Sequence, residues 1–286
     1  MELDLRKLRY FVAVAEELHF GRAADKLHIA QPVLSRQIRS LEGDLKVQLF
    51  ARDKRGTELT AAGEQLLSDA RPLLSAADAT TRRAVRAAHA QNALTVGFMP
   101  GLIVTAAVRL FSRRHPDVQV EVIRTNWDEQ TQMICDGRID VGYVRLPCEA
   151  HGLELRDLLS EPRVVILPTT HPLAGKSSVS ISDLAGERLL QNPAAIPEWR
   201  STANPSGPYE DTGPTLVLRS VEEKLENVAA GRGVVILPLS TATYYTRSDI
   251  THIEISDIGP NRVCLAWDSN RQDQLIDEFV EIALAT

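Results

Sequence analysis

Apolar residues recur at helical spacing through the first 45 residues, and two short turns interrupt this pattern. The pattern predicts one helix from Leu5 to Leu18, a second from Phe20 to Leu27 and a third from Gln31 to Leu45. Pro32 fits the first turn of the third helix, where its missing N–H is tolerated. The apolar face of this third helix consists of Val33, Leu34, Ile38, Leu41 and Leu45.

The outward face of the third helix carries the polar residues Gln31, Ser35, Arg36 and Arg39. Gln and Arg side chains make paired hydrogen bonds to adenine and guanine edges in the major groove, while Ser and a helix N-terminus hold phosphates. Two helices joined by a turn of three or four residues form a helix-turn-helix. Taken alone, this stretch also fits an ordinary amphipathic surface helix.

A basic turn follows the third helix. Short strand-like pieces at 47–50 and 58–60 flank the tip at 53–56, which predicts a wing whose Lys54 or Arg55 contacts the adjacent groove. The predicted DNA-binding residues are Gln31, Pro32, Ser35, Arg36, Arg39, Lys54 and Arg55.

Residues 61–89 show apolar or small residues at alternating spacings of three and four. This seam, typical of a heptad repeat, consists of Leu66, Ala70, Leu73, Ala77, Thr80 and Ala84. A helix of this length would extend about 40 Å, which favours pairing with another chain. Packing on its own domain is the alternative.

From Ala93 onward, short apolar strands alternate with helices, which predicts two α/β lobes and a cleft at the carboxyl ends of the strands. Pro100, Gly101 and Leu102 follow the first strand, Asn126 and Trp127 follow the second, and Asn192 and Pro193 lie in the other lobe. Free N–H groups at helix starts bind carboxylates.

Arg145 follows a third buried strand, where its guanidinium could grip a carboxylate with two hydrogen bonds. The alternative is an internal ion pair with an acidic neighbour such as Asp140 or Glu222. The predicted effector-binding residues are therefore Pro100, Gly101, Leu102, Asn126, Trp127, Arg145, Asn192 and Pro193, and the predicted ligand is a small organic acid.

Charge is divided unevenly along the chain. The formal net charge is −6, yet residues 1–58 carry +2, residues 59–90 carry +1 and residues 91–286 carry −9. Only the N-terminal part could face a polyanion, so the case for DNA rests on where the charges lie.

Several function classes receive no support from the residues. The N-terminus lacks a basic-then-apolar signal, no uncharged apolar run reaches membrane-spanning length, and the three cysteines have no metal spacing. Phosphate-binding glycine loops, zinc-protease helices and serine-hydrolase elbows are absent from the sequence. We therefore expect a cytoplasmic protein that is not an enzyme, with no cofactor, no bound metal and no disulfide framework.

Several linked motifs lie within residues 1–65, namely Leu8–Phe11, Ala23–Ala24, Ala30–Ile38, Leu49–Phe50 with Arg52, and Leu59–Gly63. In their order and spacing they resemble the winged helix-turn-helix of LysR-type bacterial transcriptional regulators. The resemblance implies an α/β fold class with an N-terminal all-α winged helix-turn-helix, a long linker helix and a two-lobed effector domain of the periplasmic-binding-protein type 2 fold. The expected boundaries are 1–60, 61–90 and 91–286, with lobe I at about 91–162 and 267–286 and lobe II at about 163–266.

The function that this resemblance implies is operator-specific DNA binding controlled by a small organic acid held between the lobes. The implied partners are double-stranded DNA, the effector and further copies of the chain in a homodimer or homotetramer. RNA polymerase is a further candidate partner, and no membrane is expected. The competing class is a solute-binding or substrate-binding protein that shares the two-lobed fold, and the N-terminal winged motif argues against it.

Overall fold

The computed structural model describes residues 3–53, 56–88, 92–202, 218 and 220–286. The chain forms two compact units, which are described separately. Among the described helices, none has the length and apolar character that a membrane span requires.

The first unit begins with three helices whose bounds lie within one residue of the predicted ones. They are α1 (Leu5–Glu17), α2 (Phe20–Lys26) and α3 (Gln31–Leu45). Asp4 accepts hydrogen bonds from two backbone N–H groups of the first turn of α1, and His19 does the same for α2. Their apolar faces meet in one core that includes Phe11, Leu34 and Ile38.

The wing is a two-stranded antiparallel ribbon made of β1 (Phe50–Asp53) and β2 (Gly56–Leu59). The first strand therefore starts at Phe50, where the predicted piece at 47–50 ends. The N–H groups of Leu49 and Phe50 are instead bound by the carboxylate of Glu42 on α3, which fixes the approach to β1.

The linker helix α4 spans Ala61–Ala88 and continues through Pro72. Thr60 caps it as the sequence predicts, accepting a hydrogen bond from the N–H of Gly63 at 3.1 Å. Leu66, Ala70 and Leu74 pack on Leu8 of α1 in the same chain. The first part of the predicted seam on α4 thus packs on α1 of its own chain, as the alternative interpretation states, because α1 presents an apolar face there.

Farther along α4, large apolar side chains stay in contact with solvent. Leu73 is 42% exposed and Val85 is 53% exposed. Within the described part of the chain, the unit of α4 thus leaves these two large apolar side chains uncovered.

The second unit opens with the elements of lobe I. In chain order they are β3 (Ala93–Phe98), α5 (Thr105–Arg114), β4 (Gln119–Arg124), α6 (Gln132–Cys135), β5 (Val141–Arg145) and β6 (Leu153–Glu161). Lobe II follows with β7 (Arg163–Pro168), β8 (Ser178–Val179), a 3-10 helix (Ile181–Leu184), another (Pro193–Ala195), α7 (Pro197–Thr202), α8 (Val221–Ala229), β9 (Val235–Pro238), α9 (Leu239–Tyr244) and β10 (Ile250–Ile255). The chain closes with β11 (Asn261–Asp268) and α10 (Gln274–Leu284).

Two sheets define the lobes. Lobe I contains a five-stranded sheet in the order β4-β3-β5-β11-β6, and lobe II contains a four-stranded sheet in the order β8-β10-β7-β9. Strand β11 pairs with β6 from Asn261 and with β5 from Val263. The return to lobe I therefore comes at 261, before the expected boundary at 267, because β11 fills a buried central position in that sheet.

Strand β3 pairs in parallel with β4 and with β5. Their carboxyl ends consequently meet at one edge of the lobe I sheet, as the alternation of strands and helices predicts. This edge brings together the segments that follow Phe98, Arg124 and Arg145.

Candidate DNA-binding face and effector cleft

The outward face of α3 gathers the polar residues that the sequence singles out. Gln31, Pro32, Ser35, Arg36 and Arg39 line one shallow surface depression. Leu34, Ile38 and Leu41 on the opposite side are buried, so this orientation follows from the apolar seam. Ala30 stands at the N-cap and offers no side-chain acceptor, which leaves the positive end of the helix available to an anion.

Arg36 and Arg39 differ from the basic side chains around them. Lys7 pairs with Asp44 at 2.6 Å and Lys26 pairs with Glu16 at 3.2 Å, whereas no described carboxylate lies within ion-pair distance of either arginine. Two exposed and unpaired guanidinium groups on adjacent turns of one helix are suited to phosphates or base edges.

Glu42 is a residue of this region whose role the sequence reasoning missed. It is buried at the end of the apolar seam, and its Oε1 accepts hydrogen bonds from the N–H groups of Leu49 at 2.9 Å and Phe50 at 3.3 Å. Glu42 thereby ties the start of the wing to α3. A carboxylate placed one turn after Ile38, in line with apolar residues, was the available signal.

The tip of the wing falls outside the described residues. Lys54 and Arg55 both lie there, so their contact with the groove stays a prediction.

In the second unit, Arg145 is the last residue of β5 and is only 2% exposed. Its Nη1 donates to Glu161 Oε1 at 2.5 Å and to Asn261 Oδ1 at 2.6 Å. Its Nη2 donates to the hydroxyl of Ser240 at 2.9 Å. Arg145 therefore forms an internal ion pair, which is the alternative that the sequence left open. Its partner is Glu161, and not Asp140 or Glu222.

The two expected partners are engaged elsewhere. Asp140 pairs with Arg271, and Glu222 pairs with Arg124 at 3.5 Å. Burial lowers the pKa of the Arg145 guanidinium, and the hydrogen bond and charge of Glu161 counteract that effect. Glu161 also accepts from the N–H of Ser240 at 2.7 Å, so one ion pair ties the lobe I sheet to the start of α9 in lobe II.

Gly101 lies at the same junction. A Cβ on Gly101 would come within 2.5 Å of the Cα of Thr241, and its φ of +84° is in the left-handed region. The carbonyl of neighbouring Pro100 accepts a hydrogen bond from the Thr241 hydroxyl at 2.9 Å. Pro100 and Gly101 therefore mark the place where the first strand of lobe I touches α9, and only glycine allows so close an approach.

The segment after β3 does not offer the free backbone N–H groups that the sequence predicts. The N–H of Leu102 donates to the carbonyl of Met99 at 3.1 Å, and its side chain belongs to the lobe I core. Helix α5 begins at Thr105, after a turn. The prediction that Leu102 offers its N–H at a helix start is wrong, because the chain must turn before the helix can begin.

The turn after β4 also differs from the expectation. Helix α6 begins only at Gln132, and the side chain of Asn126 donates to Glu129 Oε1 at 3.1 Å. Trp127 packs against the lobe I core while remaining partly exposed. Gln130, which the sequence reasoning missed, exchanges two hydrogen bonds with the backbone of Arg145 and so fixes this turn to β5.

In lobe II, Asn192 caps the short 3-10 helix that starts at Pro193. Its Oδ1 accepts from the N–H of Ala194 at 2.9 Å. The parallel bridge between Leu189 and Val234 directs the following segment toward the edge where β9 ends and α9 begins. Asn192 and Pro193 thus lie at the same edge of lobe II as α9, with the Asn192 side chain engaged in its own turn.

The three cysteines are free thiols. Burial, followed by the nearby Asp157 carboxylate, raises the pKa of Cys264 to about 12. Burial also raises the pKa of Cys148, and a high thiol pKa disfavours the reactive thiolate. Among the described residues, no three His, Cys, Asp or Glu side chains are grouped as a metal site would require.

A winged helix-turn-helix joined to a long helix and a two-lobed α/β domain defines a class of regulators that bind DNA, and comparison with known proteins agrees. The model of the "Bacterial regulatory helix-turn-helix protein, lysR family" matches residues 5–64. The model of the "LysR substrate binding domain" matches residues 87–286. The chain belongs to the LysR family of bacterial transcriptional regulators, which are not enzymes.

Individual relatives span nearly the whole chain. The Hca operon transcriptional activator HcaR of Escherichia coli is 32% identical over 98% of this chain and 97% of its own. The crystal structure of full-length BenM is 28% identical, with a TM-score of 0.53 over 98% of this chain and 95% of that chain. Full-length CbnR in complex with its target DNA is 26% identical, with a TM-score of 0.52 over 98% of both chains.

These comparisons confirm the expected family and fold class. They do not favour the solute-binding alternative, because the winged helix-turn-helix is matched as well as the two-lobed domain.

Proposed function

We propose that this regulator reads its operator with the outward face of α3 and responds to a small organic acid bound between the two lobes. The observation that carries the proposal is the pair of exposed, unpaired guanidinium groups of Arg36 and Arg39 beside Gln31 and Ser35. In this assignment Gln31 and Arg36 contact base edges and Ser35 contacts a neighbouring phosphate. Such a protein works beside the chromosome, in the cytoplasm.

A footprint on the DNA upstream of the protein's own gene tests the DNA-binding assignment. Arg36→Ala should weaken binding to the protected site by roughly 1–3 kcal/mol and relax its discrimination against random DNA. Arg71→Ala is a suitable control, because Arg71 is exposed on α4 and lies 3.5 Å from Glu16. Unchanged discrimination in Arg36→Ala would contradict base readout by this helix face.

For the effector, we propose a site at the carboxyl edge of the lobe I sheet, near Gly101, Asn126 and Trp127. The parallel pairing of β3 with β4 and β5 supports this position, since it brings the three following segments to one edge. Asn192 and Pro193 would face this site from lobe II. Arg145 acts there as a positioning residue that holds α9 against lobe I, because its donors are engaged with protein acceptors.

For assembly, we propose that two chains pair along α4 through the apolar side chains that its own unit leaves exposed, with a dimer or a dimer of dimers as the result. The exposure of Leu73 and Val85 supports this pairing. Two linked reading heads would also suit an operator with two half-sites. RNA polymerase is the further partner that such a regulator would contact at a promoter.

A further inference from the structure

The second turn of α8 places a lysine close to the junction of the two lobes. Val221, Leu225 and Val228 bury one side of this helix against the lobe II sheet. On its first turn, Glu222 lies 3.5 Å from Arg124, the last residue of β4 in lobe I. Lys224 is half-buried and is influenced electrostatically by Asp128, in the turn after β4. Lys224 therefore lies where α8 approaches the carboxyl edge of the lobe I sheet.

The ammonium group of Lys224 has no counterion at contact distance among the described residues. Within the described parts of the chain, no carboxylate lies within 4 Å of it and its side chain donates no hydrogen bond. Burial lowers the pKa of Lys224, and the more distant carboxylates of Asp128 and Glu223 only partly offset this effect. A cation in the first half of a helix also faces the positive end of the helix dipole.

The first turn of α8 does not itself offer an anion site. Ser220 and Glu223 form a capping box, in which the N–H of Glu223 donates to the Ser220 hydroxyl and the N–H of Ser220 donates to the Glu223 carboxylate, both at 3.1 Å. Among the described residues, the Lys224 side chain is thus the charged group at this end of α8 that has no hydrogen bond or ion pair with the protein.

A polar group without a partner among the described residues lies in lobe I, directly after Arg124. Thr125 is 2% exposed, and its hydroxyl has no hydrogen-bond partner among the described residues. A buried hydroxyl without a partner costs free energy comparable to a lost hydrogen bond. The turn from Thr125 to Asp128 therefore has a spare donor at the edge that α8 approaches.

We propose that Lys224 binds the carboxylate of the effector and that the Thr125 hydroxyl donates to the same ligand from lobe I. This inference rests on the proposed organic-acid effector and adds to it the residue that supplies the positive charge. The nearby carboxylate of Asp128 would repel a second negative charge, so the ligand class is a small monocarboxylate. Because one bond comes from each lobe, ligand binding would stabilise their closed arrangement.

The test uses the full chain and thermal unfolding followed by tryptophan fluorescence. All three tryptophans, Trp127, Trp199 and Trp267, lie in the two-lobed unit, so the signal reports on that unit. The probes are sodium benzoate, sodium phenylacetate, benzamide and sodium succinate at equal ionic strength. A ligand of the native state raises the unfolding temperature by mass action.

We expect benzoate or phenylacetate to raise the unfolding temperature of the wild type more than benzamide and succinate do. Lys224→Met should weaken the apparent affinity for that monocarboxylate ~10-fold or more, since it removes a hydrogen bond to a charged group. Lys224→Arg should restore most of the response. Lys176→Met is the matched control, because Lys176 is an exposed lobe II lysine that lies 3.6 Å from Asp183.

Thr125→Val provides a second variant that should fold at least as well as the wild type, since it removes a buried hydroxyl that has no described partner. It should nevertheless weaken the response to the monocarboxylate several-fold. This variant keeps the proposal testable even if Lys224→Met does not fold.

Three results would overturn the inference: no response of the wild type to either monocarboxylate, a stronger response to succinate, or an unchanged response in Lys224→Met. The last result would leave an organic-acid effector in place and move its binding site elsewhere. If benzamide raised the unfolding temperature as much as benzoate, the proposal of an organic-acid effector would be wrong as well. The proposal of operator binding would be unaffected, because the footprint tests it separately.

Discussion

The ion pair between Arg145 and Glu161 offers a quantitative test of how the lobes are held together. Both side chains are almost fully buried, and removing one partner of a buried pair typically costs about 3–5 kcal/mol, because a charge is left without compensation. In Arg145→Met, Glu161 would keep two donors from Ser240, its N–H at 2.7 Å and its hydroxyl at 3.0 Å. We therefore expect a loss near the lower limit, about 3 kcal/mol.

Glu161→Gln should cost a similar amount, since Arg145 would keep the neutral acceptors of Asn261 and Ser240. The double variant removes both charges, so its loss should fall short of the sum of the single losses by about 2–3 kcal/mol. Such a shortfall is the signature of direct coupling between the two side chains.

Urea unfolding at 25 °C, followed by tryptophan fluorescence, measures these values in the two-lobed unit. Operator footprinting of each variant serves as the control, because the DNA-binding residues belong to a separate compact unit. A loss below about 1 kcal/mol in either single variant, or additivity within about 0.5 kcal/mol, would refute the reasoning.

Three further predictions concern the first unit. The double variant Leu73→Glu with Val85→Glu should sediment as a monomer and bind the operator weakly, whereas Ser68→Glu, an exposed change on the same helix, should behave as the wild type. Wild-type sedimentation of the double variant would exclude pairing through these two side chains. Glu42→Ala should lower the free energy of unfolding of this unit by about 1–3 kcal/mol, since it leaves the backbone N–H groups of Leu49 and Phe50 without an acceptor. Glu42→Gln should lower it less, and equal losses in urea unfolding would argue against that role. Lys46→Gly should stabilise the unit by about 0.5–1 kcal/mol, because Lys46 ends α3 with a φ of 57°, and a destabilising effect would contradict this account.

Local pattern was sufficient for the DNA-binding unit. The bounds of α1, α2 and α3 follow from apolar periodicity, and the start of α4 follows from Thr60. These signals involve residues within a few positions of one another, so a linear sequence displays them directly. The orientation of the polar face of α3 follows as well, because burying Leu34 and Ile38 leaves only one side for the arginines.

Strand β6 shows where the pattern was insufficient. Its sequence from Leu153 to Glu161 mixes charged and apolar residues without strict alternation, and no strand was predicted there. It lies at the edge of the lobe I sheet, paired only with β11 among the described strands. An edge strand has solvent on one side, so burial imposes a weaker pattern on its residues.

The sequence alone determined the class of protein, the bounds of the three N-terminal helices and the sheet edge at which the segments after β3, β4 and β5 meet. Only the tertiary structure decided what Arg145 does, because Glu161, Ser240 and Asn261 lie 16, 95 and 116 positions away in the chain. The same holds for Lys224, whose neighbourhood depends on the approach of α8 to a turn of the other lobe. A charged side chain forms an internal ion pair when folding buries it beside a partner of opposite charge, and without such a partner it can bind a ligand. Which of these applies depends on contacts between residues far apart in sequence.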